Sequence, residues 1–191
     1  KLVVYELMTD KLIEKLKQGV IDAGIVVTPL QEQGVQEYVL FYEELMAYVS
    51  KNNSVYQKSY IMPQDIDPQK LWMLEEGHCI RSQISNLCKL QKMSKQSAQF
   101  EYEAGSIETL KRMVELNDGI TIIPELATLG LSTQQKHLVR NFKKPTPMRE
   151  VSLVVYRDFL KKQLISALKS EILNAIPSKI KSNQTKNILA I

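Results

Sequence analysis

Strand-like and helix-like patterns alternate over the first 28 residues, and this alternation constrains the fold more than any other feature of the sequence. KLVVYEL, residues 1–7, is rich in β-branched and aromatic side chains and predicts a strand. TDKLIEKLKQG predicts a helix that Thr9 caps and Gly19 ends. IDAGIVVT is almost continuously apolar, which is typical of a strand buried on both faces of a parallel sheet. The segment therefore predicts a βαβ unit, in which the helix has an apolar stripe of Leu12, Ile13 and Leu16.

The same alternation continues along the rest of the chain. Further strands are predicted at EYVLFYEE, LMAYVS, KLWML, AQFEYEAG, ITIIP and EVSLVVYR. Ser106 is a candidate cap for the helix IETLKRMVELN, which Asp118 and Gly119 end, and ELATLG predicts a short helix. A last amphipathic helix carries Leu164, Ile165, Leu168, Ile172 and Leu173. This order predicts an α/β fold with mostly parallel sheets flanked by helices.

The composition, 44% apolar and 24% charged, is that of a soluble globular protein. A chain of 191 residues can bury enough surface to fold without disulfides, so its two cysteines favour a cytoplasmic location over a secreted disulfide framework. No apolar run approaches the roughly 20 residues of a membrane span. The net charge of +4 is spread along the chain, which disfavours DNA binding by this segment itself. Because the sequence opens without Met, directly in a strand pattern, we expect it to be an excised fragment.

Both cysteines lie in one short stretch, EEGHCIRSQISNLC. Its apolar residues recur at helical spacing, at Ile80, Ile84 and Leu87. Cys79 is therefore predicted at a helix N-terminus, where unpaired amides and the helix dipole favour a thiolate. His78 and Arg81 add positive charge beside it. Cys88 lies near the apolar face and is expected to be more shielded.

The two cysteines also have alternatives to a reactive pair. Two cysteines in one helix are equally compatible with simple packing. A zinc site is disfavoured because the chain has only two cysteines and two histidines, and His137 is distant in sequence. A cysteine–histidine hydrolase would need an orienting third group that nothing marks, and the nine-residue spacing excludes a CxxC motif. On the residues alone, reactive and structural cysteines both stay open, and no cofactor or metal is predicted.

The segment LEEGHCIRSQISNLC closely resembles the redox segment of OxyR-type regulators, the peroxide-sensing branch of the LysR-type transcription factors. The resemblance covers most of the chain, including VYELMTDKLIEKLKQGVIDAGIV, GSIETLKRMVELNDGITIIPELA and LVVYR. It implies a two-lobed LysR effector domain of the type II periplasmic-binding-protein-like fold, with the chain crossing twice between the lobes. Lobe I would comprise residues 1–41 and 151–191, and lobe II residues 42–150.

The resemblance also implies residue roles. Cys79 would be the peroxide-reactive thiol, oxidised to sulfenic acid, and Cys88 the thiol that resolves it to an intramolecular disulfide. Thr9 falls where the family has a threonine that helps to position peroxide, although a plain N-cap is an equal alternative for this residue. His78 and Arg81 would support the site. Such a switch acts stoichiometrically, so no enzyme is predicted.

Partners follow from the same resemblance. Relatives of this type act as homodimers or homotetramers, bind DNA through an N-terminal winged helix-turn-helix that is absent from this chain, and work with RNA polymerase. Hydrogen peroxide would be the stimulus, a cellular thiol reductant would reset the switch, and no membrane partner is expected. The alternatives are a LysR-type domain that binds a small anionic metabolite between its lobes and, third, a thiol peroxidase.

The sequence departs from the family pattern in several places. Ser82 stands where an acidic residue is common, and two extra residues separate Cys88 from SIETL. Of a basic pair before the last strand only Arg149 remains, followed by Glu150. The family's first strand and helix, with another threonine of the peroxide site, are also missing from this chain. The peroxide site is therefore incomplete in this sequence.

Overall fold

The computed structural model describes residues 1–76, 78–88, 104–157, 162–182 and 188–189. Its strands are β1 (Gly24–Thr28), β2 (Val35–Val49), β3 (Tyr60–Ile61), β4 (Ile120–Pro124), β5 (Val139–Phe142) and β6 (Met148–Tyr156). Its α-helices are α1 (Thr9–Lys17), α2 (Cys79–Leu87), α3 (Ile107–Leu116), α4 (Thr133–Lys136), α5 (Lys162–Ala175) and α6 (Ser178–Lys181). Short 3₁₀ helices cover Ser54–Gln57, Pro63–Asp65, Pro68–Lys70 and Glu125–Thr128. The described residues thus form the α/β structure that the alternating pattern predicts.

Strand β2 joins two groups of strands. Residues 35–44 pair antiparallel with β6, which also pairs with β1 on its other side. Residues 45–49 leave β6 and pair with β4, while residues 46–48 pair with β5 on the opposite edge. EYVLFYEE and LMAYVS are therefore one continuous strand, with an irregularity between Val39 and Phe41. The division into lobes after residue 41 stays a prediction, and the change of partner in β2 falls close to it.

The prediction of mostly parallel sheets is wrong for the described strands. Among the described strands only β3 and β5 pair in parallel, and the other pairings are antiparallel. Further parallel pairing in the described part of the chain consists of single bridges, Leu71 with Ile120, Leu74 with Ala104 and Met148 with Ile188. β2 and β6 run side by side in opposite directions, and each of the antiparallel pairings includes one of these two strands. KLWML contributes only bridges, and most of AQFEYEAG lies outside the described residues.

The predicted first strand is also wrong, because residues 1–7 adopt no regular secondary structure. Leu2 is 79% exposed and Val4 is 80% exposed. A strand depends on hydrogen bonds to a neighbour, and no described strand pairs with this segment. The predicted βαβ unit is therefore reduced to α1 followed by β1.

The helices largely follow their sequence signals. Gly19 has φ of 71°, so it ends α1 as predicted, and the Ser106 hydroxyl accepts a hydrogen bond from the Thr109 amide at the start of α3. Two details differ. The N-cap of α1 is Met8, so Thr9 is the first helical residue and not the cap. On α5, Leu164 is 64% exposed and lies off the packed stripe, and ELATLG forms only a 3₁₀ turn.

Buried side chains fall into separate clusters on the two parts of β2. One cluster packs α1 against β1 and β6 through Leu12, Leu16, Val26 and Val154. The largest cluster packs α2, α3, β2 and β4 together and includes Leu45, Ile80, Ile84, Leu110 and Ile122. These two clusters fix the start of α1 and the start of α2, where the candidate site lies. No helix of the described residues is long and apolar enough to cross a membrane.

Candidate redox site

Cys79 is the first residue of α2, as the spacing of the apolar residues predicts. Ile80 and Ile84 are 5% and 1% exposed and hold one face of the helix in the largest core cluster. Because the core fixes this face, the neighbouring position 79 is directed to the protein surface, where it remains partly accessible. Backbone amides at the first turn of a helix have no intrahelical partner, so the sulfur lies at the positive end of the helix dipole.

The hydroxyl oxygen of Thr9 lies 2.7 Å from the sulfur of Cys79, and either group can donate the hydrogen bond. Thr9 is the first residue of α1, so the N-terminal ends of two helices meet at this contact. Leu12 and Leu16 position α1 by packing on β1 and β6. The structure thus brings the Thr9 side chain to the cysteine, and the N-cap residue of α1, Met8, makes no side-chain capping hydrogen bond.

A cleft of about 370 Å³ opens onto this pair. Its lining residues are Thr9, Asp10, Ile13, Pro29, Leu30, Gln31, Glu32, His78, Cys79 and Ser82. The walls are therefore the start of α1, the start of α2 and the loop that follows β1. Sequence reasoning missed this loop, although its place after a buried strand is where functional loops of α/β folds concentrate. Within the loop Gln31 has φ of 57°, which is uncommon for a residue other than glycine.

His78 and Arg81 lie beside the cysteine in sequence but have other partners in this structure. The Arg81 guanidinium donates to the Leu74 carbonyl at 2.7 Å and so ties α2 to the segment before it. His78 lines the cleft, with its Nε2 3.7 Å from a carboxylate oxygen of Glu75. Their predicted support of the Cys79 thiolate stays a prediction.

Cys88 is the C-cap of α2, at the opposite end of the helix from Cys79. Its amide donates to the Ile84 carbonyl at 2.9 Å, and its side chain packs against the cluster that contains Ile84. Burial raises the pKa of the Cys88 thiol to about 11, so this thiol is protonated at neutral pH. Both cysteines are free thiols.

Two further polar groups link β6 to its neighbours near the change of partner in β2. Arg149 donates to the fully buried Glu43 at 2.6 and 2.7 Å, and the Leu126 amide donates to the other oxygen of Glu43. Thr28 donates to Glu150 at 2.6 Å. Arg149 and Glu150, where the sequence departs from the family pattern, therefore both bind side chains of neighbouring strands. In the part of the chain that is described, no three His, Cys, Asp or Glu side chains are grouped to hold a metal ion.

Comparison with known proteins places these features in a family. The LysR substrate binding domain matches residues 1–176. The hydrogen peroxide-inducible genes activator of Haemophilus influenzae is 33% identical over 151 residues, which are 79% of this chain and 49% of that protein. The chain spans about half the length of the curated relatives it matches.

Solved structures agree with the sequence relatives. A crystal structure of OxyR from Porphyromonas gingivalis is 35% identical with a TM-score of 0.88, and the match covers 99% of this chain and 85% of that one. A structure of reduced OxyR from the same organism is 34% identical with a TM-score of 0.83, covering 95% and 82% of the two chains. The predicted LysR effector-domain fold is confirmed, apart from the strand directions, since the two matches cover 99% and 95% of this chain. The chain therefore belongs to the LysR substrate binding domain family and, within it, to the OxyR group.

Proposed function

We propose that this chain is the redox-sensing regulatory domain of a peroxide-responsive transcription regulator. The observation that carries the proposal is the contact between Thr9 and Cys79 at the wall of an open cleft, with Cys88 at the far end of the same helix. A packing cysteine needs neither a cleft nor a hydroxyl partner. A matched relative is named as a hydrogen peroxide-inducible genes activator, which agrees with this role.

The first chemical step is attack of the Cys79 thiolate on one oxygen of hydrogen peroxide. The S–O bond forms as the O–O bond breaks, and the departing hydroxide takes up a proton to leave as water. Cys79 becomes a sulfenic acid. The Thr9 hydroxyl is placed to donate to the thiolate or to a peroxide oxygen bound beside it. His78 and Arg81 serve as supporting groups at the start of α2.

The second step joins the two cysteines. The Cys88 sulfur gives up its proton and attacks the sulfur of the sulfenic acid, the S–S bond forms as the S–O bond breaks, and the hydroxyl leaves with that proton as a second water. Because the Cys88 thiol is protonated and packed in the core in the reduced form, this step requires α2 to open. The change in α2 then alters the surface through which the regulator assembles.

The remaining parts of the proposal concern partners. The regulator works as a homodimer or homotetramer, contacts DNA through a winged helix-turn-helix outside this chain, and acts on RNA polymerase. A cellular thiol reductant resets it in the reducing cytoplasm. Each domain reduces one equivalent of peroxide before it is reset, so the regulator is a switch and not an enzyme. Light scattering at tens of micromolar tests the assembly, since a monomer in both redox forms contradicts it.

Intact mass after addition of one equivalent of peroxide tests the chemistry. We expect the loss of two hydrogens in the parent protein and peptide mapping to a Cys79–Cys88 bond. Cys88→Ser retains a sulfenic acid that a dimedone reagent traps, and Cys79→Ser shows neither product. An unchanged mass in the parent protein contradicts the proposal and favours a domain that binds a small anionic metabolite. Continuous peroxide consumption with a reductant favours a peroxidase.

A further inference from the structure

Gln83, in the middle of α2, has a fully buried side chain. Its Nε2 donates to the backbone carbonyl of Leu189, 106 residues further along the chain, at 3.2 Å. Its Oε1 is buried and has no hydrogen-bond partner among the described residues. A buried amide with an unpaired oxygen lowers the stability of the fold, so an apolar side chain would be the simpler choice at this position.

The partner of Gln83 is a short segment, Ile188 and Leu189, which we call the C-terminal strap. The Leu189 amide donates to the Met148 carbonyl at 2.8 Å, and Ile188 forms a parallel bridge with Met148. The Leu189 side chain packs against the cluster that contains Ile80 and Ile84 of α2. The C-terminal strap is thus fixed to β6 on one side and to α2 on the other.

We propose that the C-terminal strap holds α2 in its helical, reduced form and leaves it when the two cysteines join. The inference rests on the proposed function, since it concerns the resolving step. A Cys79–Cys88 bond cannot span an intact α2, so the turn that carries Gln83 must open with it. Opening withdraws Nε2 from the Leu189 carbonyl and gives the unpartnered Oε1 access to water. Contacts that exist only in the helical form stabilise the dithiol by linkage.

Weakening the C-terminal strap should therefore favour the disulfide. The measured equilibrium is that of protein dithiol and oxidised glutathione with protein disulfide and two molecules of reduced glutathione. Leu189→Ala removes packing against the core cluster and should shift this equilibrium toward the disulfide by about fivefold. The matched control is Ile188→Ala, because Ile188 is 37% exposed and is the neighbouring residue of the same segment. The Ile188→Ala variant should change the equilibrium by less than about twofold.

Hydrogen exchange of the Leu189 amide, followed by NMR in the parent protein, gives a direct reading that needs no variant. We expect protection in the dithiol form and exchange at least about tenfold faster in the disulfide form, because the Leu189 amide is held on β6 by a single bridge that does not keep the C-terminal strap in place once its contacts with α2 are lost. Equal protection in both forms, with the Cys79–Cys88 bond confirmed by mass, overturns the inference alone. Equal shifts for Leu189→Ala and Ile188→Ala also overturn it. If no disulfide forms in the parent protein, the proposed function fails and the inference fails with it.

Discussion

Thr9 and Cys79 are 70 residues apart in sequence, and their side-chain oxygen and sulfur lie 2.7 Å apart. Each is the first residue of a helix, so the contact depends on the placing of α1 by one core cluster and of α2 by another. A shift of either helix would break it. The surroundings of the Cys79 sulfur therefore depend on the relative position of two separately packed parts of the chain.

Replacing Thr9 with Val should slow the oxidation of Cys79. Valine keeps the shape but removes the hydroxyl that can donate to the thiolate or to peroxide. A hydrogen bond to a charged group contributes about 1.5–3 kcal/mol, so we expect the second-order rate with peroxide to fall about tenfold or more. Thr9→Ser is the matched control, since it keeps the hydroxyl and should retain most of the rate. Stopped-flow measurement of sulfenic acid formation in a Cys88→Ser background gives both rates. Equal rates for the Val and Ser variants would exclude the hydroxyl from the chemistry.

Alkylation at neutral pH should label Cys79 well before Cys88. Cys79 lines the open cleft, whereas Cys88 packs against the core and its pKa is raised to about 11 by burial. The thiolate is the reactive form, so Cys88 has little of it at pH 7. Competitive labelling followed by peptide mapping checks the order. Labelling of Cys88 first, or at the same rate, would contradict the assignment of the two thiols.

The same burial of Cys88 predicts a pH dependence of stability. The folded-state pKa is about 11, while an unfolded-chain cysteine titrates at about 8.5. Between these values the unfolded state has lost the proton that the folded state keeps, so the free energy of unfolding falls as pH rises. The contribution is fully present below pH about 8.5 and is lost through about pH 11. Allowing for partial exposure, its size is about 1–2 kcal/mol. Urea unfolding across this range should be less pH-dependent in Cys88→Ala than in the parent, and identical slopes would refute the prediction.

The buried ion pair of Glu43 and Arg149 should contribute to the stability of the fold near the point where β2 changes partner. Glu43 is fully buried, and Arg149→Met would leave its carboxylate without the guanidinium that binds it at 2.6 and 2.7 Å. Removal of one partner of a buried ion pair costs about 3–5 kcal/mol, so the free energy of unfolding should fall by that amount. The double variant Glu43→Gln/Arg149→Met removes both charges but keeps an acceptor for the Leu126 amide, and should recover most of the loss. A loss below about 1 kcal/mol for Arg149→Met would show that the pair is not desolvated.

Sequence signals predicted the elements whose determinants are local. Ser106 lies three residues before the Thr109 amide it accepts from, Gly19 supplies its own positive φ, and the spacing of Ile80 and Ile84 marks α2. The candidate cysteines were likewise found from one short stretch. Local rules were sufficient wherever the partner lay within one turn of a helix.

The sequence predictions that failed concern features that depend on partners distant in the chain. KLVVYEL has strand propensity, but a strand also needs a neighbour, and residues 1–7 have none among the described strands. The length of β2 and the direction of its pairing depend on β6, more than 100 residues later. Thr9 fits an N-cap by local rules, whereas its observed partner is distant in sequence. The loop of residues 29–32 enters the cleft only because β1 ends beside α1 and α2.

Oxidation must refold α2, and this is the prediction on which the switch depends. Cys88 lies nine positions after Cys79, which corresponds to a rise of about 13.5 Å along a helix at about 1.5 Å per residue. A disulfide requires Cα atoms within about 7 Å, so the intact helix cannot carry the bond. Closing this short loop contributes only about 2.5–3 kcal/mol in the chain-entropy model.

Full exposure of Ile80 and Ile84, which are 5% and 1% exposed in the helix, would cost about 1.5–3 kcal/mol each. The disulfide form must therefore bury these side chains elsewhere, which moves the neighbouring surface. Hydrogen exchange over residues 78–88 should rise strongly in the disulfide form, while the amides of α3, which lies outside the redox segment, serve as the control and should change little. Unchanged protection of α2 with a confirmed Cys79–Cys88 bond would rule out the two-state switch.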